Sequence, residues 1–342
     1  MATQKMHYIA DAVEAKEIDR ISIQEIGIPS MVLMERAAMC AASCIMDQAD
    51  PETDRLLAVC GTGNNGGDGV AVIRMRWEAG FSASVLGLGE MEKCSEEMRQ
   101  QIAIAGKLGI PVMFSDGIGR DACLPADQRN ADCIGEERDS SMPAGGANFD
   151  LADSVTEEKL EKYTVIIDAI FGIGLSREVT GSYRKWIAWM NRAAARVVSM
   201  DIPSGIHAGT GEVLGIAVQA EQTVTFGVNK RGLVLYPGTQ YAGEIVVADI
   251  GFPKQAVKKV SPKAYTYQPM QIASLLPKRK NRSHKGSYGK VLVIAGSPQM
   301  SGACYFASAA AYRVGAGLVQ VLTAQENAAI IRTKLPEAIV NT

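Results

Sequence analysis

Arg55-Leu56-Leu57-Ala58-Val59-Cys60 runs into Gly61-Thr62-Gly63-Asn64-Asn65-Gly66-Gly67-Asp68-Gly69, and an amphipathic stretch follows from Val70 to Ala79. An apolar run, a glycine turn and a helix start in that order read as the first β-α step of a parallel α/β sheet. Glycine lets a backbone approach a ligand closely. A helix N-terminus offers unpaired N–H groups and the positive end of a dipole, which suits phosphate. Gly61, Gly63 and Gly66 fit G-x-G-x-x-G, a weak signal on its own. Gly67-Asp68-Gly69 stands where a Walker A loop needs Gly-Lys-Ser/Thr. Asp68 sets this turn apart, because a carboxylate beside a phosphate cradle needs a ribose hydroxyl, a cation or a reacting proton to justify it. A glycine turn without a ligand is the bland alternative.

Strand and helix signals alternate outward from that turn. Strands are expected at Leu56–Cys60, Ser84–Leu88, Pro111–Phe114, Thr164–Asp168, Arg196–Met200, Thr223–Phe226 and Glu244–Asp249. Helices are expected at Val70–Ala79, Glu96–Leu108 and 182–194. Ala10 to Ala42 reads as helical with a break at Gly27-Ile28-Pro29-Ser30, Ser30 being placed to cap the second piece. The fold expected is a doubly wound, Rossmann-like parallel sheet. Gly117 to Asp150 is polar without apolar period and reads as a surface insertion. Residues 253–282 carry four prolines and the basic run Pro277 to Arg282, and read as a connection. A strand at Lys290–Ala295, a helix at Ala303–Val314 and a strand at Leu318–Thr323 then open a second unit, read as one β-α-β step.

Composition bounds the function. The chain has 342 residues, 47% of them hydrophobic, and a formal charge of −2 from 35 basic and 37 acidic side chains. There is no basic stripe for nucleic acid and no apolar run of the roughly 18 residues that a membrane span needs. The N-terminus lacks a secretory core. Seven cysteines, at 40, 44, 60, 94, 123, 133 and 304, form no C-x-x-C pair. They read as reduced thiols of a cytoplasmic protein, with Cys60 a buried strand-end residue.

Ligands of open parallel sheets bind outside the carboxyl ends of the strands. Three strand ends carry polar groups there: Asn64-Asn65-Gly66-Gly67-Asp68, Asp168-Ala169-Ile170-Phe171-Gly172-Ile173-Gly174, and Asp201-Ile202-Pro203-Ser204-Gly205. A strand-end aspartate is often a plain helix cap, but three around one crevice suggest a shared polar site. They could hold a divalent metal for phosphoryl transfer. They could hold a monovalent cation through hard, weakly charged oxygen donors, which Asn65, Asp168 and Ser204 would suit. They could transfer protons. Ser204 lies in Pro-Ser-Gly, outside any G-x-S-x-G elbow, so Ser-His-Asp hydrolysis is disfavoured. Gly172 to Glu178 forms a second loop that continues to Tyr183 and could close on a sugar or phosphate.

Gly63 to Gly69, Asp168 to Gly172, Asp201 to Gly205, and Gly27-Ile28-Pro29-Ser30 with Leu33-Met34-Glu35 resemble the signature set of the YjeF N-terminal domain, over roughly residues 10–255. His284 to Gly289, Val291 to Ser297, Ser301-Gly302-Ala303 and Arg313 to Val319 look like the start of a ribokinase-like dehydratase domain. The resemblance implies a bifunctional NAD(P)H-hydrate repair enzyme. Residues 1–252 would form the epimerase domain, 253–282 the linker and 283–342 an incomplete ribokinase-like α/β unit. The first domain would interconvert the R and S hydrates of NADH and NADPH (NADHX and NADPHX), epimers at C6 of the nicotinamide ring. The second would remove water from the S form with ADP or ATP.

Carried onto this sequence, the substrate would meet Asn64, Asn65, Gly66, Gly67, Asp68, Gly172, Ile173, Gly174, Leu175, Ser176, Arg177, Glu178, Tyr183 and Asp201. K⁺ would lie on Asn65, Asp168 and Ser204, and the proton-transfer candidates would be Asp201 and Asp68. Ala303 would touch the dehydratase substrate. The dehydratase part lacks the family's later nucleotide loop and Gly-Asp motif, so dehydratase activity of this chain is not expected. Relatives of the first domain that act as scaffolds provide a binding-module alternative, and the ribokinase-like start a kinase alternative. No nucleic acid or membrane partner is expected, and a homo-oligomer is the base-rate expectation.

Overall fold

The computed structural model describes residues 7–46, 49–115, 157–267, 269–276 and 278–342. The insertion expected at 117–150 lies outside them. The chain divides into two compact units, Met1–Gln268 and Pro269–Thr342.

The first unit runs β1 (His7–Ala10), α1 (Ala12–Arg20), a π-helical turn (Ile21–Glu25), α2 (Ser30–Met46), β2 (Arg55–Cys60), α3 (Asn64–Glu78), β3 (Ser82–Gly87), α4 (Glu96–Lys107) and β4 (Val112–Phe114). It continues with α5 (Glu157–Leu160), β5 (Val165–Ala169), α6 (Gly181–Met190), β6 (Arg196–Met200), β7 (Gln222–Phe226), β8 (Asn229–Lys230), α7 (Arg231–Val234), β9 (Glu244–Ala248), α8 (Lys254–Val260) and β10 (Ala264–Thr266). Seven strands form an all-parallel sheet in the order β4-β3-β2-β5-β6-β7-β9. The chain winds outward from β2 in one direction and from β5 in the other. Connections to the two strands therefore leave on opposite faces, and a crevice opens where they part.

Both faces are covered, as a parallel sheet requires. On one side α2, α3 and α4 pack Leu33, Ala38, Ile45, Ile73, Met98 and Ile102 against Leu56, Ala58 and Val85. On the other, Trp186 and Trp189 of α6 pack with Ile187 on Leu57, Val59 and Ile166, the indoles edge to face at 5.7 Å. α1 starts with a capping box, the Asp11 carboxylate accepting from the Val13 and Glu14 amides and Glu14 reaching back to the Asp11 amide. Ser30 does not cap α2. It is the first residue of that helix, and its hydroxyl donates to Glu97 Oε1 of α4 at 2.6 Å.

A second sheet was not foreseen. β1 lies between β10, antiparallel, and β8, parallel. These strands have two to four residues each, too short for a hydrophobic alternation to show in the sequence. The stretch expected as a connection holds α8 and β10 within this unit.

The second unit has α9 (Pro269–Leu275), β11 (Lys290–Ile294), α10 (Gly302–Arg313), β12 (Leu318–Leu322), α11 (Ala328–Lys334) and β13 (Ile339–Asn341), with a parallel sheet in the order β11-β12-β13. The single β-α-β step read from the sequence is thus short by a helix and a strand. Leu335-Pro336 interrupts the apolar pattern just before β13 and hid it. Cys304, Val319, Val321 and Ile331 are the buried centre.

Candidate active site

The crevice between β2 and β5 is a cavity of about 720 Å³ in the first unit. Its floor is the Gly61–Asn65 turn and the start of α3. Two glycines make that turn as tight as it is. A Cβ on Gly61 would stand 2.1 Å from the Ile170 carbonyl oxygen, and one on Gly66 2.0 Å from the Gly61 carbonyl oxygen. The turn is pressed against the segment leaving β5, so the first N–H groups of α3, a 15-residue helix, face the cavity without a side-chain cap.

Asp201 follows β6 at φ 65°, a left-handed conformation that costs a non-glycine residue energy. The Ile202 amide donates across it to the Met200 carbonyl at 2.7 Å, closing a three-residue turn. The carboxylate is held through Oδ1, which accepts from Lys230 Nζ at 2.5 Å, the Phe226 amide at 3.2 Å and Thr225 Oγ1 at 3.3 Å. Lys230 is 2% exposed, and its ammonium also donates to the Phe226 carbonyl at 2.8 Å. A buried ammonium needs such partners to stay charged.

Two further carboxyls line the same cavity, Asp68 from α3 and Asp19 from α1. Burial, then repulsion by Asp201 and by Asp19, pushes the Asp68 carboxyl well above the usual carboxylate range. Burial, followed by Asp201, raises Asp19 to about 6 against an opposing pull from Lys230. Three carboxyls and one ammonium share the space.

Behind the cavity wall Asp168 is fully buried. Its Oδ1 accepts from Ser204 Oγ at 2.6 Å and its Oδ2 from Ser199 Oγ at 2.7 Å and the Ser204 amide at 2.8 Å. Desolvation raises its pKa, and these hydrogen bonds oppose the rise. The Phe171 amide donates to Ser204 Oγ at 2.8 Å. From the other side Asn65 reaches Gly172, whose added Cβ would meet Asn65 Oδ1 at 3.5 Å. Asn65 Nδ2 is buried without a hydrogen-bond partner among the described residues. No group of three His, Cys, Asp or Glu side chains among those residues could hold a metal ion, so the divalent-metal alternative gains no ligand set.

Residues 30–232 match the family described as YjeF-related protein N-terminus. The chain belongs to this family. Residues 291–342 match a second family, described as NAD(P)H-hydrate dehydratase. The chain is therefore a YjeF-related domain followed by a segment similar to part of that dehydratase family.

A protein of Oenococcus oeni named NAD(P)H-hydrate epimerase is 35% identical over 238 residues, 70% of this chain and 94% of its own length. A Levilactobacillus brevis protein of the same name is 38% identical, over 71% of this chain and 93% of its own length. The bifunctional NAD(P)H-hydrate repair enzyme Nnr of Thermofilum pendens is 32% identical over 97% of this chain. This chain spans 56% of that relative, a little over half its length. The crystal structure of yeast ynu0 superposes with a TM-score of 0.54 at 19% identity, over 76% of this chain and 97% of the yeast chain, and shows the same fold.

Within the YjeF-related domain, Asn64, Asn65, Asp68, Gly172, Ile173, Gly174, Leu175, Ser176, Arg177, Tyr183 and Asp201 all line the cavity. Tyr183 leans on Phe171 with ring centroids 4.9 Å apart, and its hydroxyl donates to the Leu88 carbonyl. Gly66 and Gly67 are buried inside α3 and shape the turn from behind, Gly67 against Met34. Glu178 is outside the lining, its side chain beside Gly215, because Val179 is tied to the Leu214 carbonyl and turns the chain away. Asp168 and Ser204 stand behind the wall. Ala303 is an exposed residue of the first turn of α10 in the second unit. Burial raises the Cys60 thiol pKa, so it is no nucleophile.

Sequence reasoning missed Asp19 and Lys230. The signal for Asp19 was a carboxylate on the Ala15, Asp19, Ile23 face of an amphipathic helix, a face that turns out to line the cavity.

Proposed function

We propose that the first unit interconverts the R and S hydrates of NADH and NADPH. The family and its epimerase-named relatives support the substrate. The observation that carries the chemistry is Asp201, paired with Lys230, facing a protonation-prone Asp68 in one cavity. Epimerisation needs a group that takes a proton and a group that gives one, within reach of the same ring. Asp201, held as an ion pair, is the acceptor, and Asp68, its proton affinity raised by burial, donates a hydrogen bond or a proton. The N-terminus of α3 faces the nucleotide's phosphates, and Gly172 to Arg177 with Tyr183 and Phe171 enclose the rest.

A K⁺ ion fits the donor chemistry of Asn65, Asp168 and Ser204. Asp168 is a buried carboxylate whose hydrogen bonds come from neutral hydroxyl and amide groups, and the unpartnered Asn65 amide stands by the same turn. When bound, K⁺ would supply a weak positive charge that fixes the Phe171-Gly172 turn against the substrate. The second unit belongs to the same proposal as part of a dehydratase region. The complete region of a longer protein would act on the S hydrate with ADP or ATP, Ala303 being the assigned contact, and this chain's part of it is not expected to do so alone. Cytoplasmic residence and a homo-oligomeric state also stay with this reading. No helix of the described residues is long and apolar enough to cross a membrane.

The test follows conversion of purified R-NADHX to the S epimer by chromatography, with and without K⁺, for the wild type and Asp201→Ala. Enhancement over the spontaneous rate that is lost in the variant supports the reading. A folded wild type that adds nothing to the spontaneous rate overturns it.

A further inference from the structure

The cavity contains one carboxyl that the reading above leaves without work. Ala15, Asp19 and Ile23 line one wall, four residues apart on α1 and the π turn that continues it. Asp68 and Asp201 line the same space from the start of α3 and the end of β6. The Asp19 side chain takes part in no hydrogen bond or ion pair among the described residues, whereas Asp201 is fixed through Oδ1 by three donors.

The helix that carries Asp19 is anchored at both ends. Arg231 donates to Asp11 at 3.0 Å and lies 3.8 Å from Glu14 at its start. Lys259 of α8 and Arg20 hold Glu25 beyond its end. The π turn at Ile21–Glu25 follows directly, closed by the Ile26 amide on the Ile21 carbonyl at 2.9 Å. Such widened turns recur at functional sites. A carboxyl in the cavity wall without a hydrogen-bond partner, beside two others, is unlike a surface aspartate.

We propose that Asp19 is a proton-transferring residue of this site, acting as the acid opposite Asp201 and leaving Asp68 to donate a hydrogen bond to the substrate. The proposal rests on the epimerase reading. The hydrate's hydroxyl is at C6, next to ring nitrogen N1. Asp201 takes the hydroxyl proton, the C6=O bond forms and the C6–N1 bond breaks. Its electron pair goes to N1, which takes the proton of Asp19. Rotation about C5–C6 presents the other face of the aldehyde, and the reverse steps re-form C6–N1 and return both protons. No co-reactant enters or leaves, and both carboxyls end as they began.

The groups facing Asp19 fit this role. Burial, then Asp201, raises its proton affinity and Lys230 lowers it, leaving a carboxyl that titrates at about 6, close to the range in which an acid gives and regains a proton readily. Arg20, next on the helix, is turned to Glu17 and Glu25, and Lys259 to Glu25.

The experiment measures kcat and KM against pH for the wild type, Asp19→Asn and Asp19→Glu, with thermal melts to confirm folding. Asn is expected to lower kcat about 100-fold or more with KM within about threefold, the range for a lost general acid. Glu should recover part of the rate. The wild-type kcat should fall as pH rises through about 6, and the Asn variant should lack that limb. Infrared difference spectra, wild type minus Asp19→Asn, should show a protonated carboxyl disappearing over the same range. A wild type that enhances the reaction while the Asn variant keeps its rate and limb overturns this proposal alone. An Asp19 already ionised at pH 5 overturns it independently of activity. A wild type without enhancement overturns the epimerase reading and this proposal together.

Discussion

Lys230 Nζ and Asp201 Oδ1 lie 2.5 Å apart, both side chains nearly buried, at the end of a strand-to-turn step that forces Asp201 into a left-handed conformation. The lysine fixes both the charge and the direction of the carboxylate. Lys230→Met should remove the fixed charge and leave a buried carboxylate unpaired. We expect kcat to fall about 100-fold. Stability should fall by roughly 3–5 kcal/mol, the usual cost of breaking one side of a buried pair. Urea unfolding and the epimerisation assay measure the two effects separately.

Asp19 predicts a pH-dependent gain in stability. Its folded carboxyl is raised from 3.8 to about 6. Below the unfolded value both states are protonated and nothing is lost. As pH climbs through the folded value, the folded state resists ionisation and is penalised. Asp19→Asn removes that penalty, so it should match the wild type near pH 3 and exceed it at pH 8 by something on the order of 2–3 kcal/mol. Denaturant midpoints across pH 3–8 test this, and equal midpoints at pH 8 would contradict it.

The glycine turn offers a matched pair. Gly66→Ala places a methyl 2.0 Å from the Gly61 carbonyl oxygen and must move backbone. A loss of about 1–3 kcal/mol is expected, with weakened substrate binding. Gly63→Ala meets nothing within 4 Å, at φ −88° and ψ −173°, which any residue adopts. It should stay within about 1 kcal/mol of the wild type. Thermal melts and KM distinguish them, and equal effects would show that the turn is looser than its geometry.

The cation assignment predicts a specific stabilisation. If K⁺ binds with a dissociation constant near 1 mM, 100 mM K⁺ adds about 2.7 kcal/mol, on the order of several degrees in melting temperature for a unit of this size. Equal ionic strength of a bulky organic cation should not. Asn65→Ala and Ser204→Ala should abolish the difference, while Gly63→Ala keeps it. A melting temperature indifferent to the cation would remove K⁺ from the site.

The sheet and its switch point were legible because each motif joined a buried strand to a turn of unusual residues. Gly61 to Asp68, Asp168 to Gly174 and Asp201 to Gly205 all end parallel strands on one side, and the cavity is where they meet. Elements that depend on partners far along the chain were not legible. β1 is a strand because Ile9 pairs with both Ala264 and Asn229, and nothing local announces it. Lys230 reads as a surface lysine until β8 brings it under Asp201. Glu178 shows how a turn divides neighbours, since it follows Arg177 in sequence but lies beside Gly215, outside the cavity lining.

The small sheet has a consequence for where this unit can be cut. Its first strand is hydrogen-bonded to its last and to the strand that ends in Lys230, so the beginning and end of the unit are neighbours in space. The helix bearing Asp19 departs from one strand of that seam and the lysine under Asp201 sits on another. Trimming after residue 252, or before residue 11, would therefore loosen the joint that holds Asp19 and the lysine under Asp201 at a fixed separation. The natural place to open this ring of chain is a distant surface turn, with the old ends joined instead.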